Sequence, residues 1–269
     1  MKILKFFLCI TLMLACILYV PNYKIYEAFG DQLQLKRQAK GLQHFQKENS
    51  TLISQKEKEP DHDEEKITKK AITMVKTKII LLSVPLINQM DRPALYNGCE
   101  VTSLAMLLNY KGIRVTKNEL ARKISHVPLK YPNGEYGNPN IGFVGNMETG
   151  PGLAVYHAPI LKLARKYVGS RAKDLTNKPF AEILKKIDQR LPVWVITTSN
   201  FIPVTDLKLW KTPKGKMYIT FSEHSVVITG YDNEHIYLNN PYGIKNQKVD
   251  KKLFVAAWEQ MGKQAIVLH

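Results

Sequence analysis

The sequence predicts an α+β fold, and three observations carry that reading. Across residues 79–269, helical periodicity is concentrated in the first half, while strand-like apolar runs separated by turn residues dominate the second. With 269 residues, 45% of them apolar, the chain can bury the core of one ordinary domain beside an accessory segment. No internal repeat competes with that order.

The chain opens on Met1-Lys2-Ile3-Leu4-Lys5, with two positive charges, followed by an unbroken apolar run from Phe6 to Val20 and then Pro21-Asn22. This is the pattern of an export signal. A membrane-spanning helix needs about 20 apolar residues, so residues 1–22 are expected to be either a signal peptide or a short N-terminal membrane anchor. No clear small-x-small cleavage site follows Val20, and Tyr26-Glu27-Ala28 is a weak one, which favours the anchor. Met13-Leu14-Ala15-Cys16 has some likeness to a lipoprotein cleavage box, but Ile17 to Val20 stay apolar where a lipoprotein turns polar. Residues 23–78 are polar and mixed in charge, densest over 55–70, and are expected to form a solvated stalk. At Ile79 the texture changes to Ile79-Ile80-Leu81-Leu82-Ser83-Val84-Pro85-Leu86, the expected opening strand of a globular domain over 79–269.

Val101, Leu104, Ala105 and Leu108 recur at i, i+3, i+4 and i+7, which predicts a helix over 99–110 with one buried face, stopped by Gly112. Thr116-Lys117-Asn118-Glu119 has capping-box spacing and opens a second helix through Ile124. Residues 128–151, rich in Gly, Pro and Asn, form a long loop of the kind that borders binding sites. Helices follow over 160–167 and 180–189, the latter with Phe180, Ile183, Leu184 and Ile187 inward. Strands are expected over 192–198, then 225–230 and 236–238 as a hairpin around Asp232-Asn233, and 264–268 after a helix near 253–261.

Lys and Arg number 39 against 23 Asp and Glu, a net charge of +16, so the surface favours an anionic cell wall or membrane surface. Nucleic acid is not expected, because no zinc-finger spacing, aromatic-basic stripe or long Arg run supplies a reader element. Cys9 and Cys16 lie in the export segment, which leaves Cys99 as the lone thiol of the folded part, without a partner for an internal disulfide. No metal or organic cofactor is indicated.

Cys99 begins the first helix, where unpaired backbone N–H groups and the helix dipole favour a thiolate. Asn97-Gly98 makes a tight turn before it, and Glu100 is tolerated in the first turn. The histidines available as base are His126, His157, His224, His235 and His269. His224 leads into the buried-strand pattern Ser225-Val226-Val227-Ile228-Thr229-Gly230, and the returning strand ends at Asn239-Asn240-Pro241. Asn240 can therefore orient His224, giving a Cys-His-Asn arrangement. Asn239 would point to the opposite face of the strand, and the turn explains Asp232 without catalysis.

Together, Val84-Pro85-Leu86-Ile87-Asn88-Gln89, Asn97-Gly98-Cys99-Glu100 through Leu108, His224-Ser225-Val226-Val227, Asn240-Pro241 and Trp258-Glu259-Gln260-Met261-Gly262 resemble cysteine peptidase family 39, in its stand-alone exported Gram-positive branch. The resemblance covers roughly residues 79–269. It implies a papain-like fold, Cys99 as nucleophile, His224 as base and Gln89 as side-chain donor to the oxyanion. That family commonly has Asp in the dipeptide before proline, where this chain has Asn240, so the imidazolium gains orientation but no charge. The activity so implied is hydrolysis of a peptide or protein substrate outside the cell. The alternatives are a cell-wall amidase or acyl transferase with the same residues, and a non-catalytic binding protein of the same fold.

Overall fold

Leu82 N–H donates to Thr229 O at 2.7 Å, which anchors the start of the folded chain on its central strand. Only Ile80–Leu81 (β1) of the expected opening strand is ladder-paired. The rest of the stretch, ending in Pro85, runs as irregular chain toward the site. The structure, a computed structural model, describes residues 79–269. The expected export segment and stalk, residues 1–78, lie outside the described residues.

Helix α1 is Cys99–Tyr110, as its periodicity requires, but every residue from Cys99 to Leu108 is buried, not one face alone. Helix α2, Lys117–Lys123, is capped as its sequence predicts, with Glu119 N–H donating to Thr116 Oγ1 at 3.1 Å. The expected loop after it contributes β3 (Phe143–Val144), paired parallel with β2 (His126–Val127). Next come α3 (His157–Val168), β4 (Ala172–Asp174), α4 (Phe180–Asp188) and β5 (Val193–Thr198). The hairpin β6 (Lys208–Thr212) and β7 (Gly215–Ile219) follows, unanticipated because Leu209-Trp210 and Met217-Tyr218-Ile219 put apolar residues on both its faces, with no period of two. The chain closes with β8 (Glu223–Tyr231), β9 (His235–Asn240), β10 (Ile244–Asp250), α5 (Lys251–Gln260) and β11 (Ala265–Leu268).

The main sheet runs β10-β9-β8-β5-β11-β4, all antiparallel, with β1 joined to the far end of β8. β5 is buried at all six residues, as a strand covered on both faces must be. One side chain of β5, Trp194, donates from Nε1 to Glu100 O at 3.0 Å and so ties the sheet to α1. Phe180 packs edge-on against Phe254 and Trp258, clamping α4 to α5. β8 and β9 pair regularly except between Ile228 and Gly230, where Thr229 is left out of the ladder as a bulge. A helical first part and an antiparallel sheet with helices packed on it make this an α+β, papain-like fold.

Candidate active site

Cys99 is placed by what precedes and faces it. Gly98 N–H donates to Leu95 O at 3.1 Å, closing the expected turn. The glycine is needed for space, since its φ of −111° suits any residue but a Cβ would come 2.5 Å from Leu95 Cβ. Ahead of the point where β9 begins pairing, β8 turns the backbone of Ser225 toward α1. Ser225 N–H bonds the Cys99 sulfur and Ser225 O accepts from Ser103 Oγ at 3.0 Å. The nucleophile helix is therefore docked beside His224.

The His224 ring is fully buried, and its Nε2 lies 2.9 Å from Asn240 Oδ1. That oxygen also accepts from Tyr242 N–H at 3.0 Å, while Asn240 Nδ2 donates to Gln247 Oε1 at 2.9 Å. Both ends of the amide are thereby assigned. Nε2 must carry the proton it donates to Asn240, and Nδ1, buried without a partner, is the bare lone pair. Tyr242 stacks on the ring at 4.7 Å and 8°. Its hydroxyl pKa is raised by burial and by the charges of Cys99, Glu223 and Glu100, which places it over the same site. Burial pulls His224 down to about 4, and the Asn240 bond offsets only part of that.

Asn239 faces away, as strand alternation predicts, donating to Val84 O and Pro85 O at 3.1 and 3.3 Å. Asp232 is absorbed by its turn. Burial pushes its carboxyl up, but the bonds from Glu234 N–H, Tyr237 Oη and His235 hold it well below the usual range. The other histidines lie elsewhere: His126 is bonded to Ala121 O, His157 to Gln264 and His235 to Asp232, and His269 is the terminal residue after β11.

Gln89 is buried next to this corner, its N–H donating to Pro241 O at 2.7 Å. Both amide hydrogens are occupied, since Nε2 donates to Leu95 O and to Tyr96 O, each at 3.1 Å, and Oε1 has no partner. Reversing the amide would set Oε1 against two carbonyl oxygens, so the orientation is determined by its neighbours.

Two acids that sequence reasoning left outside the site are built into it. Glu100 is fully buried; its Oε1 accepts from Val155 N–H at 2.6 Å and its Oε2 from the Cys99 thiol at 3.3 Å. The signal was available, because Cys99 to Leu108 contains no other charged residue and so offers the helix no solvated face. Glu223, immediately before His224, is also buried, with Oε1 unpartnered. Cys99, Glu100 and Glu223 each bring a ligand atom within 4.8 Å of the others, the one such group among the described residues. A thiol with two carboxylates suits a divalent ion of the zinc type. Burial and their mutual proximity also favour the protonated form of both carboxyls.

The electrostatics follow from burial. Burial raises Glu100 from 4.5 to about 7 despite the bond from Val155 N–H, and burial together with Glu100 raises Glu223. Burial, then Glu100 and Glu223, push the Cys99 thiol up, while Ser225 N–H pulls it down. The expected thiolate at the helix start is therefore not the resting form. A helix terminus contributes about 0.3–1 kcal/mol, and full desolvation of a charge outweighs it.

These shifts predict how stability depends on pH. A carboxyl raised by folding stabilises the fold at low pH, and that contribution is lost as pH rises through its folded value. For Glu100 this amounts to about 3 kcal/mol, lost between pH 4.5 and about 7. His224, lowered from 6.5 to about 4, acts in the opposite direction, stabilising above 6.5 and losing that contribution as pH falls. Between pH 8 and 6.5 the carboxyls dominate. The urea midpoint should therefore rise as pH is lowered across that window, with a shallower slope in Glu223→Gln; a flat or falling wild-type midpoint would refute this.

A cavity of about 300 Å³ adjoins the site. It is lined by Tyr156, His157, Tyr218, Ile219, Thr220 and Gln264, and burial and the charges of Glu223 and Glu100 raise the Tyr156 hydroxyl, which puts the cavity wall next to the acids.

Comparison with known proteins identifies the family. Residues 81–266 match the model of the Peptidase_C39 like family. The chain is 56% identical over 188 residues to the uncharacterised protein YvpB of Bacillus subtilis (strain 168), covering 70% of this chain and 75% of that one. It also superposes on a crystal structure of a candidate C39-like peptidase from Bacillus anthracis with a TM-score of 0.69 and 43% identity, covering 71% of this chain and 98% of the other. The match runs from Leu81 in β1 through α1 to Ile266 in β11, so the chain belongs to the C39-like peptidase family.

Proposed function

We propose that this protein is a cysteine peptidase that hydrolyses peptide bonds through Cys99, His224 and Asn240. The observation that carries the reading is the His224 ring: Nε2–H is pinned to Asn240, Nδ1 is bare and buried, and Ser225, the next residue, docks the helix that begins at Cys99. On substrate binding the Cys99 thiol leaves Glu100 Oε2, and its proton passes to His224 Nδ1. The sulfur attacks the carbonyl carbon, the imidazolium returns the proton to the leaving amine, and water then cleaves the thioester. Because the resting thiol is neutral and the imidazole a weak base, proton transfer accompanies attack and no standing ion pair precedes it. Cys99 N–H is one donor to the oxyanion. Gln89 serves as the second by releasing Leu95 O or Tyr96 O, so its role belongs to the substrate-bound conformation. Export by residues 1–22 places this chemistry outside the cell.

The test is a peptide-library screen that includes Gly-Gly sequences, run with wild type and Cys99→Ser beside purified cell-wall material. Cleavage by wild type alone is expected. Equal product from both proteins would remove Cys99 from the mechanism, and release of wall fragments without peptide cleavage would favour the amidase reading.

A further inference from the structure

The β6–β7 hairpin stands apart from the main sheet and is held along its length. Trp210 stacks on Tyr136 at 4.3 Å, Asn138 Nδ2 donates to Thr212 Oγ1 at 3.0 Å, and Thr220 Oγ1 donates to Asp206 at 3.1 Å. Its outer surface is of two kinds. Leu209 and Tyr218, cross-strand partners, are 53% and 65% exposed, while Phe221, also 55% exposed, packs against Trp210 on the other side of the ladder. One register step of two residues away, Lys211 lies opposite Lys216, with Lys214 at the turn. Residues 207–221 contain four lysines and no acid.

Neither half of this surface is explained by folding. Like charges directly opposite on a ladder are unfavourable, and large apolar side chains gain nothing in water. Lys211 has Glu135 at 3.4 Å, but Lys214 and Lys216 have no ion pair among the described residues. Lys208 lies over the Phe221 ring at 5.1 Å, so cation and apolar group present together. Side chains with an apolar or aromatic body and an adjacent cationic head match the boundary between acyl chains and anionic headgroups.

We propose that the outer face of the β6–β7 hairpin docks on an anionic phospholipid bilayer, Leu209 and Tyr218 entering the headgroup region and Lys214 and Lys216 meeting the lipid phosphates. Because Tyr218 also lines the cavity beside the acids, docking holds that cavity at the membrane surface.

The experiment uses residues 75–269. The Bacillus anthracis structure, 98% of which is covered by the match, shows that such a unit folds without the preceding residues, and omitting them removes an apolar run that would bind any bilayer. Sedimentation with phosphatidylglycerol vesicles should show binding, and phosphatidylcholine vesicles should show none. Leu209→Ser/Tyr218→Ser should abolish it, and Lys214→Gln/Lys216→Gln should weaken it about 25-fold, at about fivefold per lysine. Absence of binding to phosphatidylglycerol, or binding unchanged in both variants, would overturn the proposal. So would loss in the lysine variant alone with polyphosphate bound equally, which would mark a general polyanion site. A raised KM for peptide in the apolar variant with vesicle binding intact would assign the face to substrate.

Discussion

Cys99→Ser and His224→Ala are each expected to lower kcat/KM for peptide hydrolysis by about 10⁴-fold or more, and the double variant to lose little beyond either single one. The thiol and the imidazole act as one unit: without His224 the proton on sulfur has only Glu100 or solvent to go to, and without Cys99 the imidazole has nothing to activate. Burial sharpens the loss. The thiol is raised by desolvation and two acids, so a spontaneous thiolate is rarer here than at an exposed cysteine. Asn240→Ala should cost less, because Tyr242 still stacks on the ring and only the choice of tautomer is lost. Kinetics on a substrate from the library screen would decide the matter. Single losses that multiply in the double variant, or a His224→Ala enzyme within tenfold of wild type, would show that Cys99 takes its proton acceptor elsewhere, Glu100 being the first candidate at 3.3 Å.

Trp194→Ala should destabilise the domain by about 3–5 kcal/mol, a large part of what a domain of this size has to lose. The indole is fully buried in the central strand, and its removal leaves a cavity between β5 and α1. It also removes the bond that Glu100 O accepts from outside its own helix, within the first turn of α1. Trp194→Phe separates the two effects, keeping most of the apolar volume while losing the 3.0 Å bond, at about 1–2 kcal/mol. Urea unfolding of both variants provides the check. Equal costs would mean that the hydrogen bond contributes nothing, and a cost below about 1 kcal/mol for Trp194→Ala would mean that α1 is held by other contacts.

Much of the architecture was legible in the sequence because the relevant signals are local. The Thr116 cap, the period of α1 and the turn at Asp232 each specify their element from a few neighbouring residues. The β6–β7 hairpin was hidden because β-sheet patterning is read from apolar alternation, and in Leu209-Trp210 and Met217-Tyr218-Ile219 the apolar residues are consecutive. The candidate site was legible as residue types in order, and the structure brings His224 and Asn240 into contact and sets Gln89 beside the same corner. Its resting state was not legible. Whether Glu100 is solvated or buried, and whether the Gln89 amide is free or occupied, depends on which chain segments close over them: Val155 N–H, 55 residues from Glu100, and the loop at Leu95-Tyr96 that folds back on Gln89 without any periodic signal.

The bulge at Thr229 decides which asparagine meets His224. The turn of the β8–β9 hairpin pairs Tyr231 with Ile236 and Gly230 with Tyr237, and continuing that ladder without interruption would pair Ile228 with Asn239 and Val227 with Asn240. Paired residues share a face, and His224 shares its face with Ile228, so in the uninterrupted ladder Asn239 would share the histidine's face and Asn240 would turn away. Leaving Thr229 out pairs Ile228 with Leu238 and Val227 with Asn239, and Asn240 comes round to His224. With two asparagines side by side in the sequence, the identity of the third site residue is thus stored in the length of the backbone, in a threonine that touches neither the thiol nor the imidazole.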